Sequence, residues 1–279
     1  MDCRIFGSLK TTVAIYKSFK YNTGNLYLVL QRSIYSKVEP IDKDVSNVEI
    51  VVPWGKVAGK LWGNDKNKQP ILALHGWQDN AASFDNLIPL IKQHGPILAI
   101  DLPGHGLSTW LPRGQMTIKY YNKIFSKAIA QFLMIEEMEN KPPIYKKEEL
   151  IKKWIKNSYN SLTADACKIL MTRGVTEMSD GTVFINRDPR LRILPVHTCW
   201  SHEQLLEMAR DIKCPYLVIQ SDKKIYMEDL KYYYDILDIL KESSNDCRYH
   251  FIPGTHHIHL VDAQALVKVI DPFLEKYNR

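Results

Sequence analysis

Apolar and polar positions in this chain follow two rhythms. ILALHG (71–76) is a continuous apolar run ending at glycine, the pattern of a strand buried on both faces. A second such run, ILAIDLPG (97–104), follows it, and YLVIQSD (216–222) and CRYHFIPG (247–254) continue the series of strands. VEIVVPWGKVAGKLWG (48–63) reads as two short strands joined around Pro53–Gly55. The helical rhythm begins after the cap-type residues Asn80–Ser83, where Phe84, Leu87, Ile88 and Ile91 recur on one face. It returns at 147–175, with Leu150, Ile151, Trp154 and Ile155 on one side, and at 201–212, 227–242 and 262–277. Between 176 and 192, Ser179-Asp180-Gly181 separates two short apolar stretches and predicts a hairpin. Strands alternating with helices predict an α/β fold with a mainly parallel sheet and helices on its faces.

The mainly helical block 139–212 divides the strand-bearing sequence into 45–138 and 213–279. It reads as an inserted lid on an α/β core, or as a solvated helical linker. Residues 1–40 form an extension of different composition. Six basic side chains in 1–37 (Arg4, Lys10, Lys17, Lys20, Arg32, Lys37) face Asp2 alone, so nearly all of the net charge of +6 sits there. The remaining chain is close to neutral, which speaks against a broad nucleic-acid surface. A basic, acid-poor segment rich in hydroxyl residues predicts either a transit peptide or a loose tail. Its longest apolar run, Leu26–Leu30, is too short to span a bilayer. Five scattered cysteines with no CxxC pair predict reduced thiols in an intracellular protein, cytoplasmic, or mitochondrial if 1–37 is a transit peptide.

Three loops carry the candidate chemistry, each at the end of a predicted strand. They are His75-Gly76-Trp77, Asp101-Leu102-Pro103-Gly104-His105-Gly106-Leu107-Ser108 and Gly254-Thr255-His256-His257-Ile258-His259. His75-Gly76 alone is also what any strand-ending turn looks like. Together, HGWQDNAASFDNLIPLI and ILAIDLPGHGLS resemble the α/β-hydrolase superfamily, and within it the animal serine hydrolase-like proteins. RGVTEMSDGTVFINRDPRL (173–191) is similar to a stretch in the cap of those proteins. The resemblance covers roughly 48–114 and 135–279.

It implies an ester-type or other small acyl ligand in an apolar pocket under the lid, lined by aromatics such as Trp154, Tyr159 and Trp200. It implies that backbone N–H groups of the loop His75, Gly76 and Trp77 face a developing oxyanion. It maps the catalytic base to His256 and the acid that orients it to Asp222, with Glu228 and Asp229 nearby as competitors. His259 reads as packed or hydrogen-bonded. The three histidines lack the carboxylate or cysteine spacing of a metal site, and no cofactor is expected.

The nucleophile does not fit this scheme. Covalent acyl chemistry needs a serine on a strained strand-to-helix bend, with small residues two before and two after it. No G-x-S-x-G occurs in the chain, and 115–173 contains no glycine. Ser108, Ser126, Asp165 and Ser221 are poor substitutes: each has the wrong neighbours or lies in the wrong loop. In the family the elbow strand lies at the centre of the sheet, beside the HG strand. Its loss predicts that the sheet re-pairs with a later strand or that its halves part. The chain is therefore expected to be inactive as it stands. It is either a non-catalytic binding or regulatory descendant or an incomplete isoform of an active hydrolase.

Overall fold

The computed structural model describes residues 4–9, 12–17, 37–42, 44–112 (apart from 64, 66–67, 69 and 93–94), 143–192, 201–221 and 230–277. The apolar runs form the strands they predict. ILAL becomes β6 (Ile71–Leu74) and ILAI becomes β7 (Ile97–Ile100), paired in parallel from Ile71↔Ile97 to Leu74↔Ile100. β11 (Tyr216–Ser221) and β12 (Cys247–Ile252) form a second parallel pair. β4 (Val45–Val52) and β5 (Gly55–Trp62) form the expected hairpin, which extends outward to β3 (Lys37–Asp42) and joins β7 through β5. The sheet of nine strands is therefore mixed in direction.

Between β6 and β11 lie two strands from the basic N-terminal segment. β1 (Arg4–Leu9) runs parallel to β6, with Arg4 opposite Ile71 and Gly7 opposite Leu74. β2 (Thr12–Lys17) folds back on β1 and pairs antiparallel with β11. The sheet neither re-pairs with a later strand nor parts. A hairpin from the far end of the sequence satisfies the backbone groups that β6 and β11 would otherwise leave open, which is the physical requirement at a buried edge.

Segment 81–91 departs from the expected helix. It forms two short 3-10 turns, Ala81–Phe84 and Ile88–Leu90. Asn80 caps the first, its Oδ1 accepting from the Ala82 N–H at 2.9 Å. Pro89 stands in the first turn of the second, where its missing N–H leaves no helical bond unmade. Phe84, Leu87, Ile88 and Ile91 still reach the core. They pack with Ile71, Ala73, Ile97, Ala99, Leu217 and Ile219 on one sheet face, under the C-terminal helix Ala263–Tyr277.

The 147–175 segment splits into α1 (Lys147–Asn157) and α2 (Ala164–Gly174). The predicted hairpin follows as β9 (Val175–Glu177) and β10 (Val183–Ile185), which also pairs with β8 (Ile144–Tyr145). α3 (His202–Arg210) carries a full capping box between Ser201 and Gln204. α4 (Leu230–Ser243), α5 (Ile258–Val261) and α6 (Ala263–Tyr277) complete the chain. Among the described residues no helix is long and apolar enough to cross a membrane. Residues 113–142, where the chain differs most from the resemblance, lie outside the described residues, as do Ser126, Trp200, Asp222, Glu228 and Asp229.

Candidate functional site

A cavity of about 460 Å³ opens where the loops after β6 and β7 meet the 143–192 segment and the loop after β12. Its construction starts from buried ties beneath the floor. His75 is almost fully buried; its Nδ1–H donates to the Gly76 carbonyl at 2.7 Å and its Nε2 accepts from the Leu102 N–H at 3.0 Å. Burial holds its imidazole below the usual histidine range, so it stays neutral and can make both bonds. His75 thus locks the first loop to the second, and Trp77, 44% exposed, reaches the cavity wall. Gln78 occupies the left-handed region (φ 69°) and donates its N–H to His105 Nε2 at 3.2 Å.

Asp101 anchors the second loop. Its wholly buried carboxylate accepts from the N–H groups of Ala81 (2.7 Å) and Leu107 (2.9 Å), and from Arg173 Nη2 (2.8 Å). Arg173, at the end of α2, also donates to Asn47 Oδ1 at 2.7 Å, so one side chain ties α2 both to β4 and to the loop after β7. Gly106 is required here. It sits at φ 51°, and a Cβ on it would fall 2.3–2.5 Å from the Asp101 carboxyl atoms. Ser108 is a tie as well: its Oγ donates to the Asp101 carbonyl at 2.6 Å and accepts from Ala58 N–H at 2.8 Å.

His256 and His257 both line the cavity. The Nδ1 of His256 is buried with no partner among the described residues, and burial lowers its pKa. That nitrogen is where an orienting acid would bond; the expected one, Asp222, lies outside the described residues. His257 is engaged otherwise. Ser161 Oγ accepts the His257 backbone N–H at 3.0 Å and is hydrogen-bonded to His257 Nδ1 at 2.9 Å. Thr255 Oγ1 donates to the Ser161 carbonyl at 3.0 Å. Sequence reasoning missed this contact, since nothing local pairs Ser161 with a histidine nearly a hundred residues away.

The Ser161–His257 pair is a serine bonded to an imidazole, yet its geometry is that of a clamp. Ser161 is 6% exposed and does not line the cavity, and burial pushes the His257 imidazole far below the normal range, which makes it a poor base. Ser158 does line the cavity, but its hydroxyl donates to the Ile155 carbonyl at 2.9 Å. Asp165 stands on the surface beside Lys168, and Ser221 is fully buried in β11. His259 packs against Phe84, with ring centroids 6.0 Å apart. Trp154 is on the wall as expected, whereas Tyr159 points to solvent at 75% exposure, because its left-handed backbone (φ 53°) ends α1 there.

Three charged wall residues escaped sequence reasoning: Asp79, Lys153 and Arg187. Burial raises the Asp79 carboxyl to about 7, against the opposing pull of the Arg187 guanidinium. Arg187 Nη1 donates to the Gln78 carbonyl at 3.1 Å. Among the described residues no three His, Cys, Asp or Glu side chains converge as a metal site would need.

No family model matches the chain. It is similar to a Drosophila melanogaster protein named "Probable serine hydrolase", at 31% identity over 290 aligned positions that take in 81% of this chain and 87% of the relative. It is also similar to a "Serine hydrolase-like protein" of Mus musculus, at 26% identity, covering 84% of this chain and 97% of the relative. Among solved structures, the hypothetical protein PA1622 of Pseudomonas aeruginosa superposes with a TM-score of 0.63 at 20% identity, over 85% of this chain and all of that one. The thioesterase domain from the curacin biosynthetic pathway superposes at 0.62 and 17% identity, over 81% of this chain and 98% of that one. At these identities the structural matches speak to the fold, that of the α/β-hydrolases.

Proposed function

This chain belongs to the family of serine hydrolase-like proteins, which share the α/β-hydrolase fold, and from that premise we propose that it binds a small acyl or ester-type ligand without turning it over. In this reading segment 143–192 is the cap over the pocket. His256 is the family's base and the Trp77 N–H its surviving oxyanion donor. In a complete relative, a serine would attack the acyl carbon while the base took its proton, and backbone N–H groups would hold the oxyanion. Here, among the described residues, no serine hydroxyl is bonded to that base.

The observation that supports this is the engagement of the serines around the cavity. Ser108 donates to the Asp101 carbonyl, Ser158 donates to the Ile155 carbonyl and Ser161 is bonded to His257, and His256 has no serine partner among the described residues. Removing a nucleophile lowers turnover by several powers of ten, leaving residual catalysis from binding alone. A fluorophosphonate probe, which labels only activated serines, is expected to leave the purified protein unmodified. Stoichiometric labelling that disappears in His256→Ala would overturn the proposal.

A second reading has its own support. The 290 positions aligned with the Drosophila relative use 81% of the 279 residues, so several tens of positions have no counterpart in this chain. That is the size of a strand, an elbow and the helix behind it. In this reading the chain is an incomplete form of an active hydrolase. Sequencing the transcripts decides: a longer message encoding G-x-S-x-G favours the incomplete form, and its absence favours the binding protein.

A further inference from the structure

We propose that Ser161 is a positioning residue: acting through His257, it seats the His256 imidazole from the cap, so that cap and base move together. The inference rests on the reading of His256 as the base and of 143–192 as the cap, and adds what holds the one to the other.

Ser161 lies in the turn between α1 and α2, only 6% exposed, and its N–H donates to the Ser158 carbonyl at 3.0 Å. Its other polar atoms face the loop after β12. The carbonyl accepts from Thr255 Oγ1 at 3.0 Å. The hydroxyl accepts the His257 backbone N–H at 3.0 Å and is bonded to His257 Nδ1 at 2.9 Å. Thr255 and His257 are the two neighbours of His256, so one cap residue pins the backbone on both sides of the base. Leu162, the next residue, shares an apolar cluster with Leu260 and Val261 of α5, which follows the same loop.

The bond to Nδ1 adds a constraint on the ring. With its backbone N–H and its Nδ1 held by one hydroxyl, the His257 imidazole cannot turn freely. It stands edge-on to the His256 ring, with centroids 4.7 Å apart and planes at 85°, a favoured geometry for ring pairs. His256 lines the cavity, and its Nδ1 has no hydrogen-bond partner among the described residues. The neighbouring ring is therefore the orienting contact that these residues supply. A working base has to be held within about 0.5 Å and about 10–20° of its productive geometry.

A clamp that only fastened the cap would not need this placement. The Asn80 side chain already donates to the Leu170 carbonyl at 3.0 Å, and Arg173 already pairs with Asp101 at 2.8 Å. Both ties run from α2 to the first two loops. Ser161 alone of these lands on the residues that flank the base.

Ring NMR signals of the full chain, labelled at histidine and tryptophan, test the proposal. Ser161→Ala removes the hydroxyl and Ser161→Thr keeps one. The alanine variant is expected to broaden or double the His256 signals, with a second ring position about fivefold more populated, the factor of one lost net hydrogen bond. His75 and His105, on the other two loops, should keep their signals, and threonine should restore those of His256. Unchanged His256 signals in the alanine variant overturn the proposal. So does a shift of His75, His105 and His256 together, which marks a general loosening of the fold. Should the alanine variant not fold, Thr255→Val decides: it removes only the bond to the Ser161 carbonyl, and unaltered His256 signals there overturn the proposal as well. Methyl hexanoate added to the unaltered chain tests the underlying reading separately. If it moves neither the His256 nor the Trp154 signals at millimolar concentration, the ligand-site reading falls, while the seating of His256 is decided by the variants.

Discussion

At the scale of single residues, the site depends on a charge buried below it. Asp101 is 0% exposed and takes two backbone N–H bonds, and among the described residues only Arg173 is ion-paired with it. Breaking a buried pair from one side leaves an uncompensated charge, at a cost of about 3–5 kcal/mol, whereas removing both partners is far milder. Arg173→Met is therefore expected to destabilise the protein by about that amount. The double variant Arg173→Met/Asp101→Asn should recover much of the loss. Urea unfolding of the four species of this cycle measures the coupling, and a single variant within about 1 kcal/mol of wild type would contradict the account. Neither partner was marked by the sequence beyond its motif. Asp101 stood out as the end of a strand, but Arg173 is an ordinary basic residue in the last turn of a helix. Asp79, Lys153 and Arg187 were illegible for the same reason. They come from three distant segments, and only tertiary folding makes them one wall. His256 could be read because a strand-ending glycine two positions earlier marks it locally.

Among the elements, legibility followed how local the cause was. β6, β7, β11 and β12 are apolar runs that bury themselves whatever their neighbours, and the hairpin β4–β5 is fixed by its turn. Segment 81–91 has the apolar spacing of a helix but forms two separate 3-10 turns, with Pro89 in the first turn of the second, so the periodicity marked the buried face and not the kind of helix. The N-terminal strands β1 and β2 could not be read at all. Their partners, β6 and β11, lie far along the chain, and no local pattern in the sequence announces that pairing. That makes the hairpin a removable part with a definite consequence. Deleting residues 1–17 uncovers one edge each of β6 and β11 in the middle of the sheet, rows of unpaired donors and acceptors that favour association. The truncated chain is expected to aggregate and to lose amide-exchange protection in β6, while β4 and β5 keep theirs. Hydrogen exchange read segment by segment checks this. Unchanged protection along Ile71–Leu74 would mean that β6 draws its order from β7 alone.

Taken as a whole, the molecule gathers neutral imidazoles where its loops converge, and this sets its response to acid. Burial lowers the pKa values of His75, His105, His256, His257 and His259, with His105 and His259 brought down to about 4. An unfolded histidine titrates near 6.5. Between that value and the folded one, the unfolded chain takes up protons that the fold refuses, so stability falls as pH falls. Asp79 acts in the opposite sense, because its folded pKa of about 7 lies above the unfolded value and the fold holds an extra proton in the same window. Burial raises the Asp85 carboxyl too, in the same sense as Asp79, and five groups against two leave acidification destabilising. Asp246 adds to it at lower pH. Burial raises its pKa, but bonds from Tyr277, Arg248 and Lys276 together more than reverse this, and that support is lost once the carboxyl is protonated. The unfolding free energy is expected to drop by more than about 1.4 kcal/mol per pH unit, the effect of one proton, between about pH 6.5 and pH 4.5. Urea midpoints at a series of pH values measure the slope. His259→Asn should flatten it, since that imidazole is buried against Phe84 with its Nε2 unpartnered among the described residues. A flat profile would show that the three loops open to water and that the imidazoles titrate as they do in the unfolded chain. In that case the neutral bases at the cavity would not exist as drawn.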